Sequence, residues 1–395
     1  MHDNTPITLG DRHGYGGNTP FSFTLADRRH HTHLIGKTGT GKSTFLLNTI
    51  CEDIRAGRGV GVIDPHGPLA SEVLDCVPKS RAEDVVYFNP SDVDYPISWN
   101  LLKAEHPERK HLVASGIVAA FKSIWRESWG PRLEYILYAS VATLMECENA
   151  SLIGISRLLA DPDYRRWAVK QVKDPGLVGF WQYEFERYDE RFLREAIAPI
   201  QNKVGRLLLT PLARNIFGQV KAKVGARFIM DKRRIFIANL AKGAIGDDTA
   251  DLLGALLISQ FQQAAMSRVD QPEEARMDFH LVVDEFQSFA TDSFETILSE
   301  ARKYRLSLTL AHQYIEQLSE PVRRAVFGNV GTIISFRVGE RDAAVLAREF
   351  IAAFYSNNRN FRNSPATIAS RAGSRRYAPV RSRRGSHAVS LTISI

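Results

Sequence analysis

The residues of this 395-residue chain with the most specific chemistry are 36–43, which read Gly-Lys-Thr-Gly-Thr-Gly-Lys-Ser. This run satisfies the pattern G-x-x-x-x-G-K-[ST], in which a glycine-rich turn aims backbone N–H groups at phosphate and a helix N-terminus adds its dipole. We predict that Lys42 bridges the β- and γ-phosphates of a nucleotide, that the Ser43 hydroxyl binds Mg²⁺, and that Thr44 approaches the α-phosphate. The predicted nucleotide-binding residues are Gly36, Lys37, Thr38, Gly39, Thr40, Gly41, Lys42, Ser43 and Thr44.

A second group of polar residues follows two apolar segments far along the chain. The run 279–283 leads into Asp284 and Glu285, and the run 306–311 leads into His312 and Gln313. The carboxyl ends of strands in an open α/β sheet border the crevice where ligands bind. We therefore predict that Asp284 holds Mg²⁺ through water and that Glu285 acts as the general base on an attacking water. Gln313 is predicted to bond the γ-phosphate and that water.

A GTPase interpretation of the same chain is weaker. Residues 64–67, Asp-Pro-His-Gly, match D-x-x-G, and residues 202–205, Asn-Lys-Val-Gly, resemble the guanine-reading pattern N-K-x-D. Gly205 lacks the carboxylate that would accept the two guanine N–H donors. The second pattern also lies in a segment with helical periodicity, where a nucleotide-facing strand end is not expected.

The pattern of apolar residues predicts an α/β fold interrupted by helices. Strands alternating with helices indicate a parallel sheet, and helical periodicity without β-branched alternation dominates from about residue 103 to 228. Aromatic residues in this middle part are interpreted as core packing rather than base stacking. The predicted strands are 32–35, 60–63, 85–88, 234–238, 279–283, 306–310 and 332–336. The predicted domains are 1–102 and 229–350 as two halves of a nucleotide-binding core, 103–228 as an inserted all-α domain, and 351–395 as a basic, disordered tail.

Charge and composition restrict the class of protein. The net charge is +7, but residues 350–395 hold eight arginines and no lysine or acid, which leaves 43 basic and 44 acidic residues in 1–349. Any DNA binding by the body must therefore rest on more than bulk charge. The tail allows three interpretations: a basic arm for nucleic acid, a disordered end, or an aberrant end in place of a final strand. The three cysteines include no C-x-x-C pair, which excludes a disulfide framework.

Together these motifs resemble the HerA/FtsK superfamily of P-loop ATPases, and within it most closely the conjugative type IV secretion coupling proteins, the TraG/TraD-like DNA-translocating ATPases. The resemblance covers roughly residues 7–350. The segments that carry it are 36–44, 64–67, Asn-Leu-Leu at 100–102, Val-Asp-Glu-Phe at 283–286, Glu-Ala-Arg-Lys at 300–303 and Ala-His-Gln at 311–313.

The resemblance implies a RecA-like core with an inserted all-α domain, assembled as a ring hexamer with ATP and Mg²⁺ at the subunit interfaces. It implies DNA moving through the central channel, with type IV secretion or relaxosome components as further partners. It assigns Lys42 to the phosphates and Ser43 to Mg²⁺, makes Asp284 and Glu285 the second motif, and makes Gln313 the sensor. It gives Arg302 the role of an arginine finger for the neighbouring subunit's nucleotide. The alternative for Arg302 is a surface charge paired with Glu295 or Glu300, and Arg305 is its nearest substitute.

Membrane-anchored coupling proteins begin with transmembrane helices, whereas only about thirty residues precede the first core strand here and no apolar run approaches the roughly 20 residues that a membrane span needs. We expect no membrane span and a cytoplasmic location, either free or peripheral at the inner face of a bacterial membrane. An alternative function stays open: an ATPase switch, in secretion or phage defence, that remodels a protein partner without moving DNA. A purely structural nucleotide-binding protein is disfavoured by Glu285 and Gln313.

Overall fold

The computed structural model describes residues 5–14, 17–97, 99–205, 208, 210–222, 224–291, 294–357 and 389–392. Most of the tail predicted at 351–395 is outside these ranges, so the three interpretations of the tail stay predictions. The domain boundaries proposed from the sequence likewise stay predictions.

The described residues form ten strands in two sheets. A short antiparallel hairpin is separate from an eight-stranded sheet with the order β10-β9-β3-β8-β7-β4-β6-β5, in which every neighbouring pair is parallel. The strands are β1 (Ile7–Gly14), β2 (Gly17–Phe23), β3 (Thr32–Ile35), β4 (Gly59–Asp64), β5 (Val85–Phe88), β6 (Ile235–Asn239), β7 (Phe279–Val283), β8 (Leu306–His312), β9 (Thr332–Ser335) and β10 (Val389–Thr392).

The α-helices of the described residues fall into three groups along the chain: those before β5, those between β5 and β6, and those after β6. The helices are α1 (Leu25–Arg28), α2 (Lys42–Arg55), α3 (Pro68–Asp75), α4 (Lys110–Ile124), α5 (Pro131–Glu146), α6 (Gly154–Ala160), α7 (Pro162–Val169), α8 (Pro175–Gly179), α9 (Glu190–Ile200), α10 (Pro211–Phe217), α11 (Ala226–Asp231), α12 (Lys242–Ile245), α13 (Asp247–Ser267), α14 (Phe294–Glu300), α15 (Glu320–Asn329) and α16 (Glu340–Asn357). None of these helices is both long and apolar enough to cross a membrane.

The predicted fold class is confirmed. The sheet is parallel and flanked by helices, and only helical elements are described between β5 and β6. The seven predicted strands coincide with β3 to β9, shifted by at most two residues at their ends. The hairpin β1–β2 was missed because glycines and polar residues hide its alternation, although Ile7 and Phe23 pair across it and are both buried.

Helices cover both faces of the sheet, which explains why its strands are apolar on both sides. On one face, α2 buries Leu46, Ile50 and Ile54, and α3 buries Leu69 and Val73, among β-strand side chains. On the other face lies α13, a 21-residue helix that is buried on nearly all sides because it runs between the sheet and α4. Phe261 of α13 stacks on Phe279 of β7 with ring centroids 5.4 Å apart.

The helical insertion shares its hydrophobic core with this second face of the sheet. One continuous cluster of buried side chains runs from β7 and β8 through α13 into α4, α5 and the helices that follow. Within the insertion, Phe180, Trp181 and Phe185 are buried and contact one another, and the Trp181 indole donates to the Thr143 hydroxyl at 2.7 Å. The structure thus agrees with packing as the role of these three aromatic residues. Each such fully buried side chain stabilises the fold by about 1.5–3 kcal/mol.

Four buried histidines lie in or beside the central strands. His33 of β3 and His312 of β8 approach each other with 2.6 Å between their Nε2 atoms. Burial lowers the pKa of His33 to about 3 and that of His31 to about 4, and burial together with Arg28 lowers the pKa of His280 to about 3. Burial also holds the pKa of His312 well below its usual range. The sheet therefore contains neutral imidazoles, and protonating any of them opposes folding.

We predict that mild acid destabilises the chain through these buried histidines. An imidazole with a pKa near 6.5 when unfolded and about 3 when folded binds its proton first in the unfolded chain, so stability falls as the pH drops from about 6.5 toward 3. Each such histidine contributes about 1.4 kcal/mol per pH unit. Urea unfolding at pH 6.5 and 5 should show this loss, and His33→Gln should reduce it by about 2 kcal/mol.

The matched control is His111→Gln, which makes the same substitution at an exposed position of α4. Equal unfolding free energies at pH 6.5 and 5 would contradict the assignment of neutral, buried histidines. The same conclusion would follow if His33→Gln and His111→Gln behaved alike.

Candidate active site

The glycine-rich turn lies where β3 gives way to α2. Gly39 and Gly41 have φ values of 74° and 99°, in the left-handed region that glycine adopts without strain. Gly36 must also be glycine, because a Cβ there would approach the Cβ of Phe336 to 2.6 Å. The turn is held from behind, since the Lys37 N–H donates to the Arg337 carbonyl at 2.9 Å.

Lys42 is the first residue of α2 and is folded back over this turn. Its ammonium donates to the carbonyl oxygens of Gly36 at 2.6 Å and Lys37 at 3.3 Å. Burial lowers the pKa of Lys42, while the nearby carboxylates of Glu285 and Asp284 act in the opposite sense. The side chain therefore places a cation at the centre of a turn of backbone groups, as a phosphate site requires.

Ser43 and Thr44 follow in the first turn of α2 and are exposed, as are Lys37 and Thr38 on the turn itself. Lys37 and Thr38 line an open cleft of about 620 Å³, which is also bounded by the segment after β8 and by the start of α16. The hydroxyl of Thr40 is used within the turn, where it donates to the Lys37 carbonyl at 2.7 Å.

The acid pair extends from the end of β7 beside the turn. The Asp284 N–H donates to the Ile63 carbonyl of the neighbouring β4 at 3.1 Å, which continues the sheet by one bond. Burial, followed by the charges of Glu285 and Asp64, raises the pKa of Asp284 to about 6. Glu285 has left-handed backbone angles, with φ 44° and ψ 47°, a strained conformation for a residue with a side chain.

Gln313 connects the turn to the acid pair. Its side-chain oxygen accepts from the Thr38 hydroxyl at 3.1 Å, and its Nε2 donates to Glu285 Oε1 at 3.0 Å. The backbone at Gln313 is fixed by Gln317, whose side-chain oxygen accepts from its N–H at 3.2 Å. The structure thus brings together Lys42, the acid pair and the predicted sensor, although their detailed roles stay predictions.

Asp64 and the guanine-like pattern do not form a second nucleotide site. The Asp64 carboxylate accepts from the N–H groups of His66 at 2.8 Å and Ala70 at 2.9 Å, and so shapes the turn into α3. Asn202 and Lys203 lie in a wide helical turn after α9, within the insertion and not at a strand end. Both observations agree with the weak standing of the GTPase interpretation.

Arg302 lies away from the other predicted site residues. It occupies a short 3₁₀ helix, Ala301–Tyr304, just before β8. This is the edge of the sheet opposite the P-loop, the glycine-rich turn of residues 36–43. The seven residues of β8 separate the two edges by roughly 20 Å. Arg302 is exposed and contacts His30 Nδ1 at 2.9 Å, whereas Glu300 is bonded to Lys303.

Arg305, the substitute considered for Arg302, is held within its own subunit. Its guanidinium is 3.2 Å from the Glu273 carboxylate and 4.0 Å from that of Asp278, and its side chain is only 16% exposed. Of the two arginines, Arg302 is the one whose guanidinium is presented at the surface.

Two features of the site were missed by reasoning from the sequence. Gln287, two residues after the general-base candidate, donates from Nε2 to Glu285 Oε2 at 2.6 Å. The imidazoles of His33 and His312 meet directly behind the turn, next to Gly36 and Gln313. In the sequence His312 stands out only as part of Ala-His-Gln, and Gln287 gives no signal because a glutamine in a polar loop is ordinary.

A family model described as the TraM recognition site of TraD and TraG matches residues 278–376, a segment that contains the acid pair, Arg302 and Gln313. No curated protein matches the chain by sequence.

Solved structures with a similar fold include two of a conjugative coupling protein and one of VirB4. The bacterial conjugative coupling protein TrwBdeltaN70, in its unbound monoclinic form, has 15% identity and a TM-score of 0.55 over 84% of this chain and 74% of that chain. Plasmid coupling protein TrwB in complex with ADP and Mg²⁺ has 17% identity and a TM-score of 0.52, over 83% and 71%. VirB4 of Thermoanaerobacter pseudethanolicus has 16% identity and a TM-score of 0.57, over 92% of each chain.

At these identities the likeness to the solved structures establishes a common fold. The family model adds a sequence match over the part of the chain that holds the acid pair and the sensor. The resemblance predicted from the motifs is therefore confirmed: the chain is similar to the TraG/TraD-like conjugative coupling ATPases.

Proposed function

We propose that the chain is an ATP-hydrolysing motor of the HerA/FtsK type that moves DNA and serves conjugative transfer or type IV secretion. The observation that carries this proposal is the convergence of Lys42, Asp284, Glu285 and Gln313 on one glycine-rich turn. The shared fold with the coupling protein and with VirB4 supports this class of motor.

The turn suits the phosphates of ATP. Its backbone N–H groups and the N-terminus of α2 attract anionic oxygens. The Lys42 ammonium is bonded only to the carbonyls of Gly36 and Lys37 in the contacts described, so a small rotation brings it to the β- and γ-phosphates. We assign the remaining contacts to the exposed Thr38, Ser43 and Thr44.

Ser43 and Asp284 would hold Mg²⁺. Hydroxyl and carboxylate oxygens are the ligands that this cation prefers, and a cation at Asp284 would offset the burial and the neighbouring acidic charges that raise the pKa of that carboxyl. When bound, Mg²⁺ neutralises charge on the β- and γ-phosphate oxygens.

Glu285 and Gln313 would handle the attacking water. A proton passes from the water to the Glu285 carboxylate while the water oxygen bonds to the γ-phosphorus. The bond to the β,γ-bridging oxygen breaks, and its electron pair leaves with ADP. Gln313 already bonds Glu285 and is positioned to orient the water between that carboxylate and the γ-phosphate.

Arg302 would act on the nucleotide of a neighbouring subunit. Its distance from the P-loop of its own chain, across the length of β8, prevents it from reaching that nucleotide. A ring places one edge of each sheet near the opposite edge of the next, so we propose a homo-hexamer with ATP at its interfaces. The bond from Arg302 to His30 holds the guanidinium at that surface.

DNA is the proposed substrate, and the distribution of charge supports a role for the helical insertion. Residues 103–228 hold 20 basic and 14 acidic side chains, whereas the remainder of 1–349 holds 23 basic and 30 acidic ones. The nearly neutral total over 1–349 thus hides a positive insertion on an acidic core, and a positive surface attracts the phosphate backbone. The match at 278–376 supports a relaxosome component as a further partner. We propose a cytoplasmic location for the chain, free or peripheral at the inner face of a bacterial membrane.

The first test is ATP hydrolysis with and without single- and double-stranded DNA. We expect DNA to stimulate hydrolysis, and the stimulation to weaken as salt is raised.

Lys42→Ala should abolish hydrolysis, because it removes the cation that compensates the β- and γ-phosphates. Glu285→Gln should bind ATP but hydrolyse it at least 100-fold more slowly, the loss expected of a missing general base. Phosphate release and binding of a fluorescent ATP analogue separate these outcomes.

Hydrolysis that Lys42→Ala leaves intact would rule out the glycine-rich turn as the catalytic site. Hydrolysis that depends on Lys42 but is stimulated by neither form of DNA would instead favour an ATPase switch acting on a protein partner. The family model at 278–376, which describes protein recognition in TraD and TraG, makes this the second candidate function.

A mixing experiment tests the action of Arg302 across subunits. Arg302→Ala and Lys42→Ala subunits should each be inactive alone, and mixing them should restore part of the activity, because some interfaces then pair an intact turn with an intact arginine. Arg324→Ala is the matched control, since Arg324 is an exposed arginine paired only with Glu320 on its own helix. The proposal would be contradicted if mixing gave no gain and the activity per subunit did not depend on protein concentration. Arg302 would then be an ordinary surface charge.

A further inference from the structure

The carboxylate of Glu285 is held by two amide groups, one on each oxygen. Gln313 donates to Oε1 at 3.0 Å from the next strand, and Gln287 donates to Oε2 at 2.6 Å from the turn that follows β7. Two donors from different directions fix both the position and the plane of a carboxylate. The motifs assign Gln313, whereas nothing in them assigns Gln287.

Gln287 is held in place by a short backbone turn and by the buried aromatic residues on either side of it. It occupies the middle of a short 3₁₀ turn, Phe286–Ser288, entered through the left-handed conformation of Glu285. Phe286 and Phe289 flank it and are both fully buried. The Phe286 ring also contacts the imidazole of His312 edge-on, with centroids 5.1 Å apart, so the turn is braced against the strand that carries the sensor.

The side chain of Gln287 has no other partner in the contacts described. Its Oε1 is buried and accepts no hydrogen bond among the described residues, while its Nε2 donates to Glu285. Leaving a buried amide oxygen unsatisfied costs free energy, and such a cost persists where the group serves a function. The left-handed backbone of Glu285 is a second local cost at the same turn.

The two amides differ in what else they contact. Gln313 also accepts from the Thr38 hydroxyl on the P-loop, at 3.1 Å, so a nucleotide that takes Thr38 or the space beside it disturbs this glutamine. The contacts of Gln287 do not include the P-loop. One donor to Glu285 therefore faces the nucleotide, and the other is anchored away from it.

We propose that Gln287 is a positioning residue that keeps the Glu285 carboxylate aimed at the γ-phosphate. Gln313, in contrast, gives up its hydrogen bond to Glu285 Oε1 and bonds the nucleotide and the attacking water instead. This inference rests on the proposed ATPase function. In the structure both oxygens of Glu285 accept from amides. With ATP bound, Gln313 turns to the γ-phosphate, Oε1 becomes free to take the proton of the water, and Gln287 alone holds the carboxylate through Oε2.

Gln287→Met and Gln287→Glu test the proposal. Methionine keeps the length and shape of the side chain and removes the N–H donor, whereas glutamate keeps the shape and adds a charge that repels Glu285. We expect kcat to fall about tenfold in Gln287→Met and further in Gln287→Glu. The KM for ATP and the Kd of a fluorescent ATP analogue should stay within about twofold of wild type, since Lys42 and the turn are untouched. Gln219→Met, which removes an amide bonded only to the Asn215 carbonyl, is the matched control.

A role that is merely structural predicts different results. If Gln287 only filled space, the isosteric Gln287→Glu would be no worse than Gln287→Met, and both would lower thermal stability instead of kcat. A double-mutant cycle adds a readout that packing does not affect: in the Glu285→Gln background, Gln287→Met should cause no further loss of hydrolysis. Additive losses in that cycle would overturn the proposal, as would wild-type kcat in Gln287→Met.

Failure of the inference can be told apart from failure of the proposed function. If the wild-type chain does not hydrolyse ATP, the ATPase assignment and this inference both fall. If hydrolysis depends on Lys42 and Glu285 but is indifferent to Gln287, the ATPase assignment stands and only the inference is overturned.

Discussion

The parallel pairing of β3, β8 and β7 is the constraint on which the rest of this chain depends. Because these strands run in the same direction side by side, their carboxyl ends deliver the P-loop, Gln313 and the acid pair to one crevice. The Thr38 hydroxyl and Gln313 lie 275 positions apart in the sequence, yet they share a hydrogen bond of 3.1 Å. A slip of one residue in either pairing would turn these side chains to the other face of the sheet.

The pairing in turn depends on what the sheet buries. Its strands are apolar on both faces because α2 and α3 cover one side and α13 the other, and the helical insertion extends the second core without a break. Polar groups enter this interior only with partners or without charge. Asp53, fully buried, is bonded bidentately by Arg28 at 2.6 Å to each oxygen, while His33 and His312 stay neutral and bond each other. Unpaired charge in such a place would cost several kcal/mol.

The same parallel order separates the site from Arg302. The turn and the acid pair occupy the carboxyl edge of the sheet, whereas Arg302 precedes β8 at the amino edge. A single subunit therefore presents a nucleotide-binding edge and an arginine-bearing edge, which point away from each other. Two copies related head to tail can combine them, and a closed ring of such contacts satisfies every site. The proposed ring assembly rests on this separation of the two edges.

The sequence determined those parts of the site that depend on local chemistry. Backbone conformation and charge over eight consecutive residues explain the glycines at 39 and 41, Lys42 and Ser43. The apolar strand that ends in Asp284-Glu285 is also a pattern of neighbouring residues. Only the tertiary structure decided which side chains meet. The amide of Gln287 on Glu285 depends on backbone angles in a loop, and the pairing of His33 with His312 depends on strand order. Periodicity and motif spacing do not encode strand order, because contacts between strands follow from how a whole core closes and not from neighbouring residues.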